Sequence, residues 1–136
     1  MNSWERARLE AARVGRLATV RPDGTPHLVV VTFALAGERL VTAVDQKPKR
    51  TSALQRLRNV EANPEVSLLV DHYEEDWAQL WWVRIDGVAE VVVDEVRRAE
   101  LLPPLVAKYP AYQDDPPAGP VLVIDVGRAT SWRARG

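Results

Sequence analysis

Alternation between apolar and polar positions divides the chain into short elements, most of them with the two-residue period of β-strands. The start is different: Asn2 can cap a helix over Asn2–Arg13, with Glu5 at its third position. After residue 15 the pattern predicts strands over 16–20, 27–33, 39–44, 66–73, 78–86, 88–93 and 121–126. Two further helices are predicted over 52–62 and 94–102, and Pro103-Pro104 interrupts the second before it resumes over 105–109.

The order of these elements predicts the architecture. Strands follow one another through short turns rather than alternating with helices, so a mainly-β antiparallel barrel of six to seven strands with peripheral helices fits better than a doubly wound sheet. A chain of 136 residues can build one hydrophobic core. We therefore predict a single domain, with an N-terminal helix over 1–14, a barrel with inserted helices over 15–126 and a C-terminal tail over 127–136.

The predicted strand over 27–33 has almost no polar alternation, because five of its residues run Leu-Val-Val-Val-Thr between His27 and Phe33. A strand of this composition is typical of one covered on both faces. We expect either the barrel interior or a partner subunit to provide the second cover.

Composition removes several classes of function. The 18 basic and 19 acidic groups nearly balance, which argues against a general binder of nucleic acids or anionic membranes. No cysteine is available for a disulfide, a thiolate metal site or a thiol nucleophile. The first residues carry Glu5 and several arginines instead of an apolar leader segment. These features predict a cytoplasmic protein with neither a membrane nor a nucleic acid as its partner.

Familiar catalytic motifs are missing from the sequence. It contains no GxGxxG, no P-loop and no GxSxG, and its two histidines, His27 and His72, are too far apart to form a local metal motif. We therefore predict no metal site.

The strongest chemical signal is the basic segment formed by Lys47, Lys49 and Arg50, which Thr51 follows at the start of a predicted helix. Cationic side chains beside the free amide groups of a helix N-terminus suit a phosphate. The alternative is a solvated basic loop with an ordinary threonine cap, and the residues alone leave both open. Arg56 and Arg58 either extend the basic surface or face water.

Tryptophans provide a second signal, since Trp77, Trp81 and Trp82 fall within six positions. Adjacent residues of a strand point to opposite faces, so Trp81 and Trp82 cannot share one core. One of them must meet another surface, which is either a subunit interface or a planar aromatic ligand. Two separate packing contacts are the alternative.

Four stretches together resemble a known family: Gly15–Val20 with Asp23–Pro26, Lys47–Thr51, Asn63–Leu68 and Trp82–Ala89. Their order and spacing are similar to those of the split β-barrel flavin and deazaflavin oxidoreductases, also called the pyridoxamine 5'-phosphate oxidase-like, or FMN-binding split barrel, fold. The resemblance is strongest to short actinobacterial proteins of the class that uses coenzyme F420.

The resemblance implies a homodimer with the cofactor at its interface. Lys49, Arg50 and Thr51 would hold the phosphate, and Lys47, Arg56 or Arg58 would meet the acidic tail of the deazaflavin. Trp82 would approach from the other subunit, and Trp132 would close the pocket. The backbone that would line the ring belongs to Val29, Val30, Val31, Thr32, Ala43 and Val44.

Two departures from the family pattern favour the deazaflavin. The FMN oxidases carry an arginine and a lysine where this chain has Val29 and Ala34. Their pyridoxal phosphate-binding ending is also unmatched by Trp132–Gly136. The resemblance thus implies an F420-dependent oxidoreductase that transfers a hydride to a small electron-poor acceptor.

Three alternatives remain: an FMN-dependent enzyme of the same fold, a non-catalytic deazaflavin or tetrapyrrole binder, and a dimeric barrel without a small ligand. No catalytic residue is assigned. His27, His72 and Tyr73 are candidate proton donors only by elimination.

Overall fold

The computed structural model describes residues 1–44 and 51–134, with side chains throughout except at 51–53. Its strands are β1 Gly15–Val20, β2 Pro26–Val31, β3 Ala34–Ala36, β4 Arg39–Ala43, β5 Glu65–His72, β6 Trp81–Val92 and β7 Val121–Arg133. Its α-helices are α1 Ser3–Ala11, α2 Thr51–Ala62, α3 Glu95–Leu101, α4 Pro103–Lys108 and α5 Pro110–Asp114. A 3₁₀ turn over Trp77–Gln79 precedes β6.

All seven strands join one antiparallel sheet in the order β2-β1-β5-β6-β7-β4-β3. The sheet coils around a core but does not close, because β2 and β3 remain its two edges. The mainly-β, antiparallel split-barrel architecture with peripheral helices is confirmed.

One face of the sheet encloses the main hydrophobic core. Alternate residues of the central strands, among them Leu17, Leu68, Val83 and Ile85, are fully buried there. Leu9 of α1 packs into the same cluster and covers one end. Asn2 and Glu5 form a capping box that starts α1, as the sequence predicts.

The prediction of two separate strands over 78–86 and 88–93, with a break at Gly87, was wrong. Residues 81–92 form one continuous strand with a register shift between Asp86 and Gly87. A Cβ at position 87 would lie 2.3 Å from the carbonyl oxygen of Asp125. The glycine therefore permits a bulge where β6 and β7 approach closely.

The predicted tail over 127–136 was also wrong, because β7 continues to Arg133. It pairs along β6 so that Arg133 lies opposite Trp81 and Trp132 opposite Trp82. Residues 127–133 have a mixed composition, so their sequence does not predict a strand. The strand forms because it pairs with the long strand β6.

Smaller differences concern the ends of elements. The predicted strand over 27–33 stops at Val31, and the short strand β3 follows it. Ala78 and Gln79 belong to the 3₁₀ turn rather than to β6. Pro103 and Pro104 begin α4, where proline is tolerated because the first helical amides need no intrahelical acceptor.

Within the described residues, no helix is both long enough and apolar enough to cross a membrane.

Candidate functional site

A side-chain hydrogen bond joins the end of β4 to the residue that follows β2. The Thr42 hydroxyl donates to the carbonyl oxygen of Thr32 over 2.7 Å, and the backbone N–H of Val44 donates to Pro120 over 3.0 Å. The structure thus brings together two groups of residues predicted to line a ring, Thr32 at the end of β2 and Ala43 with Val44 at the end of β4.

The predicted phosphate segment follows Val44 directly along the chain. Its residues Lys47, Lys49 and Arg50 lie outside the described residues, and their role stays a prediction. Thr51 is the first residue of α2, as expected for a residue at a helix start.

Two tyrosines support the end of β2, and the sequence analysis missed both. The Tyr112 hydroxyl lies 2.7 Å from Oγ1 of Thr32. The Tyr109 hydroxyl accepts from the backbone N–H of Phe33 over 3.2 Å, and burial raises its pKa. Both come from the region of α4 and α5, about 80 residues further along the chain. No local pattern reports such a contact.

A broad surface, here called the outer face, lies on the side of the sheet away from the main core. Leu28 and Val30 of β2 are 69% and 59% exposed there, although the sequence predicted a second cover for this strand. The described chain does not provide that cover. The outer face consists of Val14, Arg16, Ala18, Leu28, Val30, Ser67, Leu69, Asp71, Trp82, Arg84, Asp86 and Trp132.

Trp82 lies on the outer face opposite Trp132 of β7 and Asp71 of β5. Its neighbour Trp81 points the other way and meets Trp4 of α1 with a centroid distance of 6.0 Å. The prediction that the two tryptophans serve different surfaces is confirmed.

Charged side chains on the outer face are paired across its apolar area. Arg16 contacts Asp71 at 2.9 Å and Arg84 contacts Asp86 at 3.2 Å. The Arg84 guanidinium also lies 5.8 Å from the centre of the Trp82 ring. A hydrogen bond from Ser67, followed by the contact with Arg84, lowers the pKa of Asp86. The carboxylate is therefore ionised at neutral pH.

A trough of about 610 Å³ runs over this face. Its walls include Leu28, Leu69 and Trp82, with the two arginines Arg16 and Arg84 at the sides. A volume of this size lies within the range of ligand sites, roughly 300 to 1,000 Å³. Asp71 also lines the trough and both arginines are paired with carboxylates, so its flat apolar walls suit a planar molecule but its charge does not select an anion.

Thr32 and Trp82 do not meet within one chain. Two strands, β1 and β5, separate β2 from β6 in the sheet. At about 4.8 Å per strand step, the two strands lie roughly 14 Å apart. A ligand that contacts both residues of one chain would have to span that distance.

The three proton-donor candidates lie away from Thr32. His27 pairs with Thr19 at the opposite end of β2, and burial followed by Arg21 and Arg56 lowers its pKa. His72 bonds to Glu74, and the exposed Tyr73 accepts from the indole of Trp77. His72 and Tyr73 lie at the end of β5, two strands away from β2, whereas His27 is two positions from Val29 on the same face of β2.

Positions 29 and 34 carry apolar side chains that pack against buried clusters. Ala34 is buried against Ala43, Leu105 and Tyr109, and Val29 packs against the main core. At both positions an apolar residue packs where the FMN oxidases carry a cation.

Comparison with known proteins identifies the family. Residues 5–133 match the pyridoxamine 5'-phosphate oxidase family over nearly the whole chain. The chain belongs to this family. No curated protein matches the sequence.

Solved structures share the fold of this family member. A conserved hypothetical protein of Mycobacterium tuberculosis superposes with a TM-score of 0.79 at 24% identity, covering 99% of this chain and 86% of its own. An F420 reductase has a TM-score of 0.69 and 28% identity, covering 96% and 98%. A heme binding protein from Mycobacterium smegmatis has a TM-score of 0.69 and 26% identity, covering 98% of this chain and 59% of its own.

Proposed function

We propose that this protein is a cytoplasmic F420-dependent oxidoreductase, which transfers a hydride between the deazaflavin and a small electron-poor organic acceptor. The family match and the similarity to an F420 reductase over almost the full length of both chains support a flavin-type cofactor. The observation that favours the deazaflavin over FMN is the packing at Ala34. It is enclosed by Leu105 and Tyr109, in the place where the resemblance gives FMN oxidases a cationic anchor.

The residues of the chain fit such a cofactor. The trough on the outer face has the volume and the flat apolar walls that a fused ring needs, with arginines at its sides. The joined ends of β2 and β4 offer backbone groups at the point from which the basic segment departs. The outer face thus combines a stacking surface with ion-paired arginines beside it.

The proposed assembly is a homodimer with the cofactor between subunits. The outer face carries exposed leucine, valine and tryptophan side chains around two paired charges. Contiguous apolar surface rimmed by polar groups is typical of association sites. A second copy would bring its Trp82 to the end of β2, which lies roughly 14 Å from the Trp82 of its own chain.

The chain's contribution to the reaction is binding and orientation, because the bound deazaflavin supplies the hydride from its own ring. The backbone of Val29–Thr32 and of Ala43 with Val44 would line the ring. Lys49, Arg50 and Thr51 would hold the phosphate, and Lys47 the acidic tail. Trp82 and Trp132 would flank the ring and exclude water.

Tyr112 adds a positioning role. Its hydroxyl lies 2.7 Å from Oγ1 of Thr32, and so it holds the residue that follows β2, whose carbonyl oxygen accepts from Thr42 of β4. No side chain of the described residues is assigned as the general acid.

Direct titration tests the cofactor. The purified protein is titrated separately with F420 and with FMN, and tryptophan fluorescence is followed. We expect quenching at low concentrations of F420 and weak or no quenching with FMN. A preference for FMN would overturn the assignment of the deazaflavin.

The basic segment is tested by Lys49→Ala combined with Arg50→Ala. Charge-assisted bonds to phosphate contribute roughly 1.5 to 3 kcal/mol each, so F420 affinity should fall more than about tenfold while the fold is retained. The matched control, Arg6→Ala with Arg97→Ala, also removes two cations, but from the exposed ion pairs with Glu38 and Glu90. Unchanged affinity of the first variant in calorimetry would contradict the phosphate assignment.

A tetrapyrrole binder is the second candidate, supported by the 26% identity to a heme binding protein of which this chain spans 59%. Heme iron needs an axial side chain, commonly a histidine, and His72 is the more exposed of the two histidines. Titration with hemin separates the candidates. A sharp Soret shift that His72→Ala abolishes, together with no F420 binding, would favour this second function.

A further inference from the structure

A second cleft, here called the N-terminal cleft, lies between α1 and the strand ends of β5, β6 and β7. It has a volume of about 430 Å³. Its chemistry comes from Trp4, Arg8, His72, Glu74, Trp81 and Arg133. None of these residues belongs to the outer face, because Trp81 and Trp82 point to opposite sides of β6.

Aromatic rings form the walls of the N-terminal cleft. Trp4 and Trp81 meet edge to face at 6.0 Å and 83°. The His72 ring stacks on Trp81 with a centroid distance of 6.2 Å and an angle of 16° between the planes. These rings offer flat surfaces and an indole pair, which favour a planar apolar group.

Two arginines give the N-terminal cleft a positive charge. The Arg8 guanidinium lies 5.5 Å from the centre of Trp4 and 5.6 Å from that of Trp81. The Arg133 guanidinium lies 4.9 Å from Trp4. Both cations thus rest against the same aromatic walls, and the rings orient them.

Neither arginine forms an ion pair with a carboxylate of residues 1–44 or 51–134. The two oxygens of Glu5 already accept from the Asn2 backbone and from Ser131, and Glu74 is bonded to His72. Arg8 Nε is buried and has no hydrogen-bond partner within the described part of the chain.

We propose that the N-terminal cleft binds a small planar carboxylate, with its ring against the indoles and its carboxylate on Arg8 and Arg133. Arginine recognises carboxylates through two parallel hydrogen bonds, which favours a carboxylate over a neutral ligand. The aromatic walls favour a conjugated ligand over inorganic phosphate. The structure supplies both features in one cleft outside the proposed cofactor site.

The scaffold around the N-terminal cleft is well fixed. The capping box starts α1, and Arg6 of α1 donates to the carbonyl oxygen of Gly37 over 3.1 Å. On the other side, Ala134 donates to the carbonyl oxygen of Leu80 over 3.0 Å. Trp4 and Arg8 are one helical turn apart and so share a face. Little ordering is needed when a ligand binds, and this favours affinity.

The test measures benzoate binding to the full chain by calorimetry, with benzamide and inorganic phosphate as probes that lack the charge or the ring. We expect benzoate to bind at least about tenfold more tightly than either, the difference expected for one strong charged contact. Binding of benzamide equal to that of benzoate would overturn the role of the arginines. Equal binding of phosphate would overturn the role of the aromatic walls.

Variants locate the ligand. Arg8→Gln and Arg133→Gln should each weaken benzoate binding about fivefold or more, whereas Arg6→Gln, on the same helix but paired with Glu38, should not. Arg133 is exposed, so its variant keeps the test valid if Arg8→Gln disturbs packing. In nitrogen-edited NMR spectra the indole signals of Trp4 and Trp81 should shift. Shifts confined to Trp82 and Trp132 would place benzoate on the outer face and refute the proposal, whatever the result of the F420 titration.

Discussion

The two faces of the central sheet use similar apolar residues under different conditions. Leu68 and Leu69 are neighbours on β5, yet Leu68 is fully buried in the main core and Leu69 is 37% exposed on the outer face. Inside, apolar side chains pack against other strands and α1. Outside, they surround paired charges and two tryptophans. The inner face holds the fold together, whereas the outer face is available to a second molecule.

This comparison explains why hydrophobic content alone does not locate the core. An apolar side chain stabilises the folded state in proportion to the apolar surface that it buries, by about 25 cal/mol per Å². Leu28 is 69% exposed, so it contributes little of this stabilisation within one chain. Its contribution comes only when a partner or ligand covers the face.

The largest expected effect separates Leu68→Ala from Leu69→Ala. Truncation of a fully buried leucine costs about 2 to 5 kcal/mol through lost burial and the cavity left behind. The same change at Leu69 should cost about 1 kcal/mol or less. Urea unfolding followed by fluorescence at submicromolar protein checks this pair. Equal costs at that dilution would contradict the assignment of the two faces.

A smaller effect is expected on association from Val30→Glu. A carboxylate on the edge strand β2 would be buried without a partner in the proposed dimer, so the dissociation constant of that dimer should rise about tenfold or more, or about 1.4 kcal/mol. Val96→Glu on α3 is the matched control, because this valine is also exposed but lies off the sheet. Light scattering across a concentration series measures both. Wild-type protein that stays monomeric at high micromolar concentration would contradict the outer face as an association site.

The smallest effect concerns Lys108, a charged group at the margin of the inner face. Its ammonium lies 4.1 Å from the centre of the Phe33 ring and 3.3 Å from the carbonyl oxygen of Leu9. Burial first, and then Arg13, lowers the pKa of Lys108 from 10.5 to about 8.

Between about pH 8 and 10.5 the unfolded chain binds the proton at Lys108 more fully than the folded chain does, so the free energy of unfolding should rise with pH. Lys108→Met should flatten this rise, and urea titrations at pH 7 and pH 9.5 compare the two chains. Tyr109 has the opposite effect at higher pH. Because its pKa is raised, the folded chain keeps the tyrosine proton more fully than the unfolded chain does, and the free energy of unfolding should fall with pH there. If the free energy of unfolding of the variant rises with pH as much as that of the wild type, Lys108 does not cause the rise.

Patterns with a local cause were predicted well. The Asn2 capping box, the helix predicted from residue 94 and the opposite orientations of Trp81 and Trp82 depend on residues within a few positions of one another. The antiparallel barrel followed from the alternation and order of strands. The family and its cofactor class entered through a resemblance of four short stretches, and the family is confirmed.

Features with a distant cause were missed. The strand through residues 127–133 exists because β6 pairs along its whole length, and Gly87 allows that pairing to continue past the bulge. Tyr112 reaches Thr32 across 80 positions of sequence. The N-terminal cleft joins α1 to the ends of three strands. Each of these depends on which partner the fold supplies.

The sequence by itself determined the type of most elements, the architecture and the identity of the charged and aromatic groups, because periodicity and capping act over a few residues. Only the tertiary structure decided which apolar face stays open, which arginines have no carboxylate partner among residues 1–44 and 51–134, and which hydroxyls support the end of β2. Burial and pairing are properties of neighbours in space, and those neighbours come from strands and helices far apart in the chain.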